Sequence, residues 1–591
     1  MKRHFQKRNR RTWNVGILGC LVLCLSLAAC AKREDKGTSQ FAPLKGGIKQ
    51  GGVFRTNAVS DISSLDPARM AKLSEVLVGH QVYDLLVNLN DSTLDFEPML
   101  AKRWTVSDDG LTYTFHLRDD VYFHDDPCFP GGKGRKLTAA DIKYSLTRSV
   151  DARVQSLGSE FFTTCVLGAE AYYDATIEAI KTKSEPSVKE VAGYLAPNDT
   201  TFIVKLSEPY APFLYHLTTG FAYITCREAA EKYGKGLARH PVGTGPFKFA
   251  SWMEDREIEL VRNPNYWATD AFGNRLPYLE GVRYRFIKEA SAQLLEFQRG
   301  ELEESLGIPQ EFAAQVLDEN GQAKGDFKKY VLKTTPELRI DYIAMQTQAE
   351  PFNNLKLRQA ISAAIDREKI VRYVLKNQVA PATGIVAKGL KGYDNSALLM
   401  VAYDPARAKQ LLAEAGYPGG KGLPPLVLNT FVGAKYAYNK EVAEAVQAML
   451  REIGIEVKIE QAEYSTHLQQ AYLGKFKIFL ASWGADYPEP ETFLNLVYGK
   501  VVPKSPDGES YLNLSRYKSE AFDKVYSEAL KISDQTKRYE LYKKAEQLAL
   551  SDAPIILTYH RLSYRFQQPY VRNYPINSMD RRDYRQVWLD K

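Results

Sequence analysis

Two periodicities alternate along this chain. Apolar and polar residues exchange at every second position through Leu111-Thr-Tyr-Thr-Phe-His-Leu117 and again from Asp199 to Leu206, as half-buried strands do. Trp104-Thr-Val106 precedes the first run, and Asp109-Gly110 between them predicts a hairpin turn. Val121 to His124 continues the pattern, and Ile258 to Val261 predicts a further strand. Elsewhere the apolar spacing is three and four. Leu77, Val78, Val82, Leu85 and Leu86 predict a helix over 75–86, and Ile142 and Leu146 one that Thr138 caps. Leu357, Ala360, Ile361, Ala364 and Ile365 form a stripe running on toward Val374. Asp404-Pro405 opens a helix closed by Gly416. Val442, Ala445, Val446, Met449 and Leu450 share one face of a helix that stops at Gly454 and enters a strand over 455–459. Helix, glycine, strand is the unit of a sheet covered by helices, so the fold class is α/β. Two more helices, near 520–530 and 535–550, precede a strand over 554–559.

The first thirty residues follow another rule. Lys2, Arg3, Lys7, Arg8, Arg10 and Arg11 form a basic stretch without an acid, followed by an apolar run from Val15 to Leu27. That run is too short to span a bilayer and ends in small residues, as an export signal does. Leu27-Ala-Ala-Cys30 is similar to the bacterial lipobox, which makes Cys30 the expected lipidation site and 1–29 the leader; a plain secretory cut near Ala29 is the alternative. Residues 30–47 lack apolar period and read as a tether.

Composition then narrows the partners. The formal charge of the 591 residues is +7, and the leader holds six of the basic residues, so the mature chain is close to neutral. Nucleic acid needs a basic face and is not expected. Cys128, Cys165 and Cys226 remain in the mature chain, enough for one disulfide and one thiol, with the pairing open.

The stretch Ser482-Trp-Gly-Ala-Asp-Tyr-Pro-Glu-Pro-Glu491 carries the candidate chemistry. It follows an apolar run, Phe476 to Ala481, read as a buried strand. Asp486 at the strand's end, beside the wall of Trp483 and the close-approach position Gly484, suits a ligand cation. The alternative is that Asp486 caps the turn before Pro488. No HExxH, GxSxG, CxxC or strand-following GxGxxG occurs, so neither catalysis nor a cofactor is expected. His116 and His124 beside Asp125 and Asp126 imitate a metal site but read as ordinary hairpin residues, and no metal is expected. The acids Glu489 and Glu491 would suit glycoside chemistry only at a fixed separation in space. His240-Pro-Val-Gly-Thr-Gly-Pro246 predicts a rigid turn with unusual backbone angles at its glycines.

Several strings, taken in order, resemble the family 5 extracytoplasmic solute-binding proteins of ABC importers, the oligopeptide- and dipeptide-binding group. They are Leu100-Ala-Lys-Arg-Trp-Thr-Val-Ser-Asp-Asp-Gly-Leu-Thr-Tyr-Thr-Phe115, Phe123-His-Asp125, Thr138-Ala-Ala-Asp-Ile142, His240 to Phe247, Arg262-Asn-Pro-Asn-Tyr-Trp267 and Arg358 to Arg367. The resemblance implies a two-lobed periplasmic-binding-protein fold of class II with an inserted third subdomain and a cleft between the lobes. The first lobe would take 48–90 and 198–300, with the insertion at 91–197. The second lobe would take 301–530, and 531–591 would return to the first. It further implies that Asp486 pairs with a peptide's α-ammonium, and that Trp483, Gly484, Ala485, Tyr487 and the segment after Asp66-Pro67, including Leu73, line the ligand. Leu480 stands where some oligopeptide binders carry a basic residue, so capture of a ligand carboxylate does not carry over. The expected protein is a monomeric lipoprotein in the periplasm or at the cell surface. It would be held to a membrane through Cys30, bind short peptides and hand them to permease subunits. A non-peptide solute such as an oligosaccharide or metal chelate, an envelope hydrolase, and a structural lipoprotein are the rival readings.

Overall fold

The computed structural model describes residues 41–58, 62–70, 72–433 and 438–591; the leader and Cys30 lie outside the described residues. After a two-residue ribbon that pairs Ala42–Pro43 with Lys49–Gln50, the chain forms β1 (Val53–Asn57) and α1 (Leu73–Val82). A hairpin of β2 (Ala101–Val106) and β3 (Thr112–Leu117) follows, then α2 (Ala139–Ser149), β4 (Tyr194–Asn198) and β5 (Thr201–Lys205). These strands form a sheet in the order β2-β3-β5-β4. After α3 (Arg227–Tyr233), the strands β6 (Phe247–Met253), β7 (Glu257–Arg262) and β8 (Gly281–Arg285) join β1 in a second sheet, β6-β7-β8-β1, with β8 parallel to β1. One apolar core runs under both sheets and also takes Val571, Tyr574, Tyr584, Val587 and Leu589 from the C-terminal end.

The second half builds a seven-stranded mixed sheet. Its strands are β9 (Glu304–Leu306), β10 (Val331–Met345), β11 (Val379–Pro381), β12 (Leu426–Val432), β13 (Val457–Glu463), β14 (Ile478–Gly484) and β15 (Ile555–Gln567). They lie in the order β9-β15-β10-β14-β12-β13, and β11 pairs with β15. Alternation along β10 divides the lobe. Ile343 and Met345 enter a core with α4 (Leu355–Ala364), α5 (Pro405–Glu414) and α6 (Asn439–Glu452). Leu338, Ile340, Tyr342 and Ala344 point the other way, toward α7 (Glu520–Ala529) and α8 (Gln535–Asp552). Burial on both faces explains the apolar runs of β12 and of Ile478 to Ala481 in β14. The packing puts 535–567 into this second body, where the sequence reading had the chain already back in the first lobe; the C-terminal residues in the first core begin at Val571.

Local chemistry fixes the element ends. Asp141 accepts from the backbone N–H of Thr138 at 2.9 Å in a capping box, and Asp404 accepts from Arg407 N–H ahead of Pro405. The apolar stripe expected to run to Val374 breaks after Ala364, because Asp366 caps a new turn by accepting from Lys369 N–H at 2.9 Å. The helix expected to reach Leu86 stops at Val82. The glycines of the 240–246 turn do not have positive φ, contrary to expectation. They are needed for contact: a Cβ on Gly243 would stand 2.0 Å from the Val82 carbonyl oxygen, and one on Gly245 2.6 Å from it.

Candidate functional site

The site grows from the pairing of β10 and β14. Their register sets Arg339 opposite Gly484 and Asp341 opposite Ser482, and Ala485 N–H donates to the Leu338 carbonyl at 2.8 Å just beyond the last pair. Residues 337, 339 and 341 alternate onto the same face as Ile343 and Met345. Where the helical cover of that face ends, the face therefore turns from apolar to charged. Asp341 is closed off by a bidentate pair with Arg561 at 2.7 and 2.9 Å. Arg339 is held loosely: Ser482 Oγ lies at 3.4 Å and Glu337 at 3.6 Å.

Asp486 lies two residues past Gly484, on the side of Arg339. Its surface is open to water while protein surrounds it on nearly every side, as for a group on the wall of a narrow space. That crowding strips water from the carboxylate and raises its pKa to about 6; Arg339 pulls the other way. Among the described residues the Asp486 carboxylate has no hydrogen-bond or ion-pair partner. The turn-capping alternative requires a backbone N–H on this carboxylate and receives no support from that arrangement.

The neighbours are equally unspent. The buried indole N–H of Trp483 lacks a partner among the described residues, and the Tyr511 ring stands edge-on to the indole at 6.3 Å. A Cβ on Gly484 would lie 2.7 Å from Arg339 Nη2, so the glycine makes room for a guanidinium rather than for another backbone as expected. The backbone of β14 is also open. On its β12 side it pairs only at Ile478 and Phe479, and His467 Nε2 meets the Leu480 carbonyl at 2.9 Å. From Ala481 to Ala485 no described strand covers that edge.

Two expected ligand residues are placed differently. Tyr487 is buried and turned away, stacked on Tyr215 at 5.8 Å, with its hydroxyl 3.3 Å from His216 Nε2 and donating to Glu491 at 2.5 Å. It joins the two bodies instead of lining the open space. Leu73 opens α1, with 45% of its surface exposed. No hydrogen bond or shared core ties it to the 482–487 stretch among the described residues. The signal missed in the sequence is Arg339, whose place beside Asp486 depends on a strand register.

The other candidates are occupied. Glu489 pairs with Arg538 at 2.8 Å, and Glu491 accepts from Tyr487 and Tyr526, so neither acid is poised as a glycosidase carboxylate. His124 is buried with Nε2 at 2.9 Å from the Gly245 carbonyl, and burial lowers its pKa to about 4. No cluster of three metal-ligating side chains occurs among the described residues. A separate depression of about 480 Å³ at the start of α7, lined by Lys500, Lys518, Glu520 and Asp523, is solvated charge without an aromatic wall.

The model for bacterial extracellular solute-binding proteins, family 5 Middle, matches residues 95–504. The chain is 30% identical over 503 residues to the heme-binding protein A of Haemophilus influenzae, with 84% of each covered. It is 29% identical over 533 residues to the periplasmic oligopeptide-binding protein OppA of Escherichia coli, covering 88% of this chain and 89% of that one. Its fold is similar to that of the ABC transporter-associated periplasmic binding protein DppA from Helicobacter pylori in complex with the peptide STSA. That likeness has a TM-score of 0.72 at 29% identity and covers 92% of this chain and 99% of that chain.

Proposed function

Because the chain belongs to the bacterial extracellular solute-binding proteins of family 5, we propose that it captures short peptides between its two lobes and delivers them to an ABC importer. The observation that carries this reading is the unpartnered carboxylate of Asp486 beside an uncovered strand edge. A peptide brings what each lacks. Its α-ammonium neutralises Asp486, and its amides pair with the main chain of 481–485 as an added strand, which satisfies backbone polar groups without reading sequence. The Trp483 indole N–H offers a donor to a carbonyl of the same strand. Peptide-named relatives support the ligand class.

In this reading no bond is made or broken; capture and release are the whole activity. The engaged state of Glu489 and Glu491 supports that. No helix among the described residues is long and apolar enough to cross a membrane, and lipid on Cys30 would supply the attachment.

The test uses one tripeptide with a free amine and its N-acetylated counterpart, each added to the exported protein. Free peptide at a hundredfold excess over its dissociation constant stabilises the fold by about 2.7 kcal/mol, read as a rise in melting temperature. The acetylated peptide gives little or no rise, and Asp486→Asn abolishes the difference. Equal stabilisation by both peptides would overturn the ammonium role of Asp486. Co-purification of heme or a saccharide as the only ligand would overturn the peptide reading itself.

A further inference from the structure

The three cysteines of the mature chain were left unpaired by their spacing, and the fold sorts them. Cys165 is buried with its thiol 3.3 Å from the Phe161 carbonyl oxygen. Cys226 is the residue that caps α3, fully buried, with its thiol 3.3 Å from Glu228 Oε2. Cys128 lies in the 125–135 loop, and three contacts dock that loop on α3. Lys232 Nζ donates to the Pro127 carbonyl at 2.6 Å, Tyr233 Oη to Asp126 Oδ1 at 2.7 Å, and Arg135 Nη2 to Glu228 Oε2 at 2.9 Å. Cys128, whose N–H donates to Asp126 Oδ1 at 2.7 Å, is thereby carried to the start of α3 beside Cys226, both of them free thiols in this structure.

We propose that Cys128 and Cys226 form a disulfide in the exported protein, stapling the 125–135 loop to the start of α3 and leaving Cys165 as a buried thiol. Family 5 proteins work outside the cytoplasm, where disulfides persist. The oxidant is the disulfide of an extracytoplasmic thiol oxidoreductase. One cysteine thiolate attacks it to give a mixed disulfide, and the second thiolate displaces the oxidoreductase thiol. The S–S bond forms as the two cysteines lose two protons and two electrons, and the oxidant leaves as its dithiol.

The timing follows from burial. In the docked loop, loss of water and the nearby Asp126 carboxylate push the Cys128 thiol up to about 12, and burial raises Cys226 as well. Neither is a thiolate at neutral pH once the loop is seated. The exchange therefore belongs to folding, before docking, and the finished bond is shielded from later reduction. The staple links segments almost a hundred residues apart, and bridges that close long loops restrict the unfolded chain most.

The experiment is peptide mapping of the full chain exported to a bacterial periplasm, denatured and alkylated without reductant. The expected result is one cross-linked species joining the Cys128 and Cys226 peptides, lighter than their sum by two hydrogens, with Cys165 alkylated. Reduction after unfolding should free both, and Cys165→Ser should leave the cross-link unchanged. Full alkylation of Cys128 and Cys226 without reductant, or a cross-link through Cys165, overturns the proposal. Neither outcome bears on peptide capture, which the acetylated-peptide comparison tests separately. A Cys128→Ser, Cys226→Ser variant should melt several degrees lower than the parent, and the mapping does not depend on its folding.

Discussion

Asp486 and Arg339 share one small field, and their relation sets the behaviour of the site. A carboxylate whose ordinary pKa is near 4 and which titrates near 6 is ionised at neutral pH at a cost in desolvation. A ligand ammonium repays that cost, so affinity for an amine-bearing peptide should be highest near pH 7 and decline toward pH 8, where the peptide's own α-amino group begins to lose its proton. Affinity should fall about tenfold per unit once the pH is below 6, because protons then compete with the ligand. Titration calorimetry from pH 5 to 8 reads this directly, and an acetylated peptide should show no such slope. Arg339 holds the Asp486 pKa down, so Arg339→Met should move the midpoint of the affinity profile to higher pH. An unmoved midpoint would mean that Arg339 does not act on Asp486. Asp486→Asn should cost about 10- to 100-fold in affinity, the worth of a charge-assisted hydrogen bond, with the melting temperature of the free protein kept. At this scale the sequence offered Asp486, Trp483 and Gly484, because a carboxylate, an indole and a glycine at a strand end announce themselves locally. It did not offer Arg339, which reaches the site through a β10–β14 register that no periodicity specifies.

At the scale of elements, β14 and the turn after it carry two separate duties. The strand leaves its edge uncovered over 481–485, which the proposed peptide would pair with, and the turn drives Tyr487 and Glu491 into a buried polar chain reaching His216 of the first lobe. Burial raises Glu491 to about 7, while hydrogen bonds from tyrosines oppose the shift. The folded state thus holds this proton more tightly than the unfolded chain, whose glutamates titrate near 4.3. The group favours the fold below the unfolded value and loses that advantage as pH rises through about 7. His216 acts in the opposite sense: burial lowers it to about 4, so its contribution is present above its unfolded pKa and lost as pH falls through the folded one. Glu491→Gln removes the first titration and keeps an acceptor for Tyr487. It should leave stability at pH 5 nearly unchanged and raise it at pH 8, as denaturant midpoints would show. The αβ units around α6 were legible because helix face, Gly454 and strand follow one another in sequence. The seven-stranded order was not, since β9 and β15 come from distant parts of the chain and meet only as neighbouring antiparallel strands of the folded sheet.

For the molecule as a whole, the two bodies meet where Tyr487 stacks on Tyr215, flanked by exposed ion pairs of Lys391 with Asp95 at 2.6 Å and Lys531 with Glu208 at 3.0 Å. Exposed pairs of this kind are worth little, so at this contact the aromatic stack outweighs them. At the other end of the bodies Arg55 pairs with the buried Glu303 at 2.7 Å and Thr56 donates to Glu304 at 2.6 Å. A ligand biases closure only by touching both lobes, and the apparent affinity is the intrinsic one divided among the states that compete with the closed form. Two substitutions one residue apart should therefore act by different routes. Asp486→Asn removes recognition, so it should abolish the preference for a free amine and leave the resting shape alone. Tyr487→Ala removes adhesion between the lobes, so it should enlarge the ligand-free radius of gyration in X-ray scattering. It should also weaken free and acetylated peptides by the same factor, because the loss falls on the closed state and not on the ammonium. If Tyr487→Ala instead erased the preference for the free amine, recognition and closure would be a single device, and the separation between the two faces of this turn would be wrong.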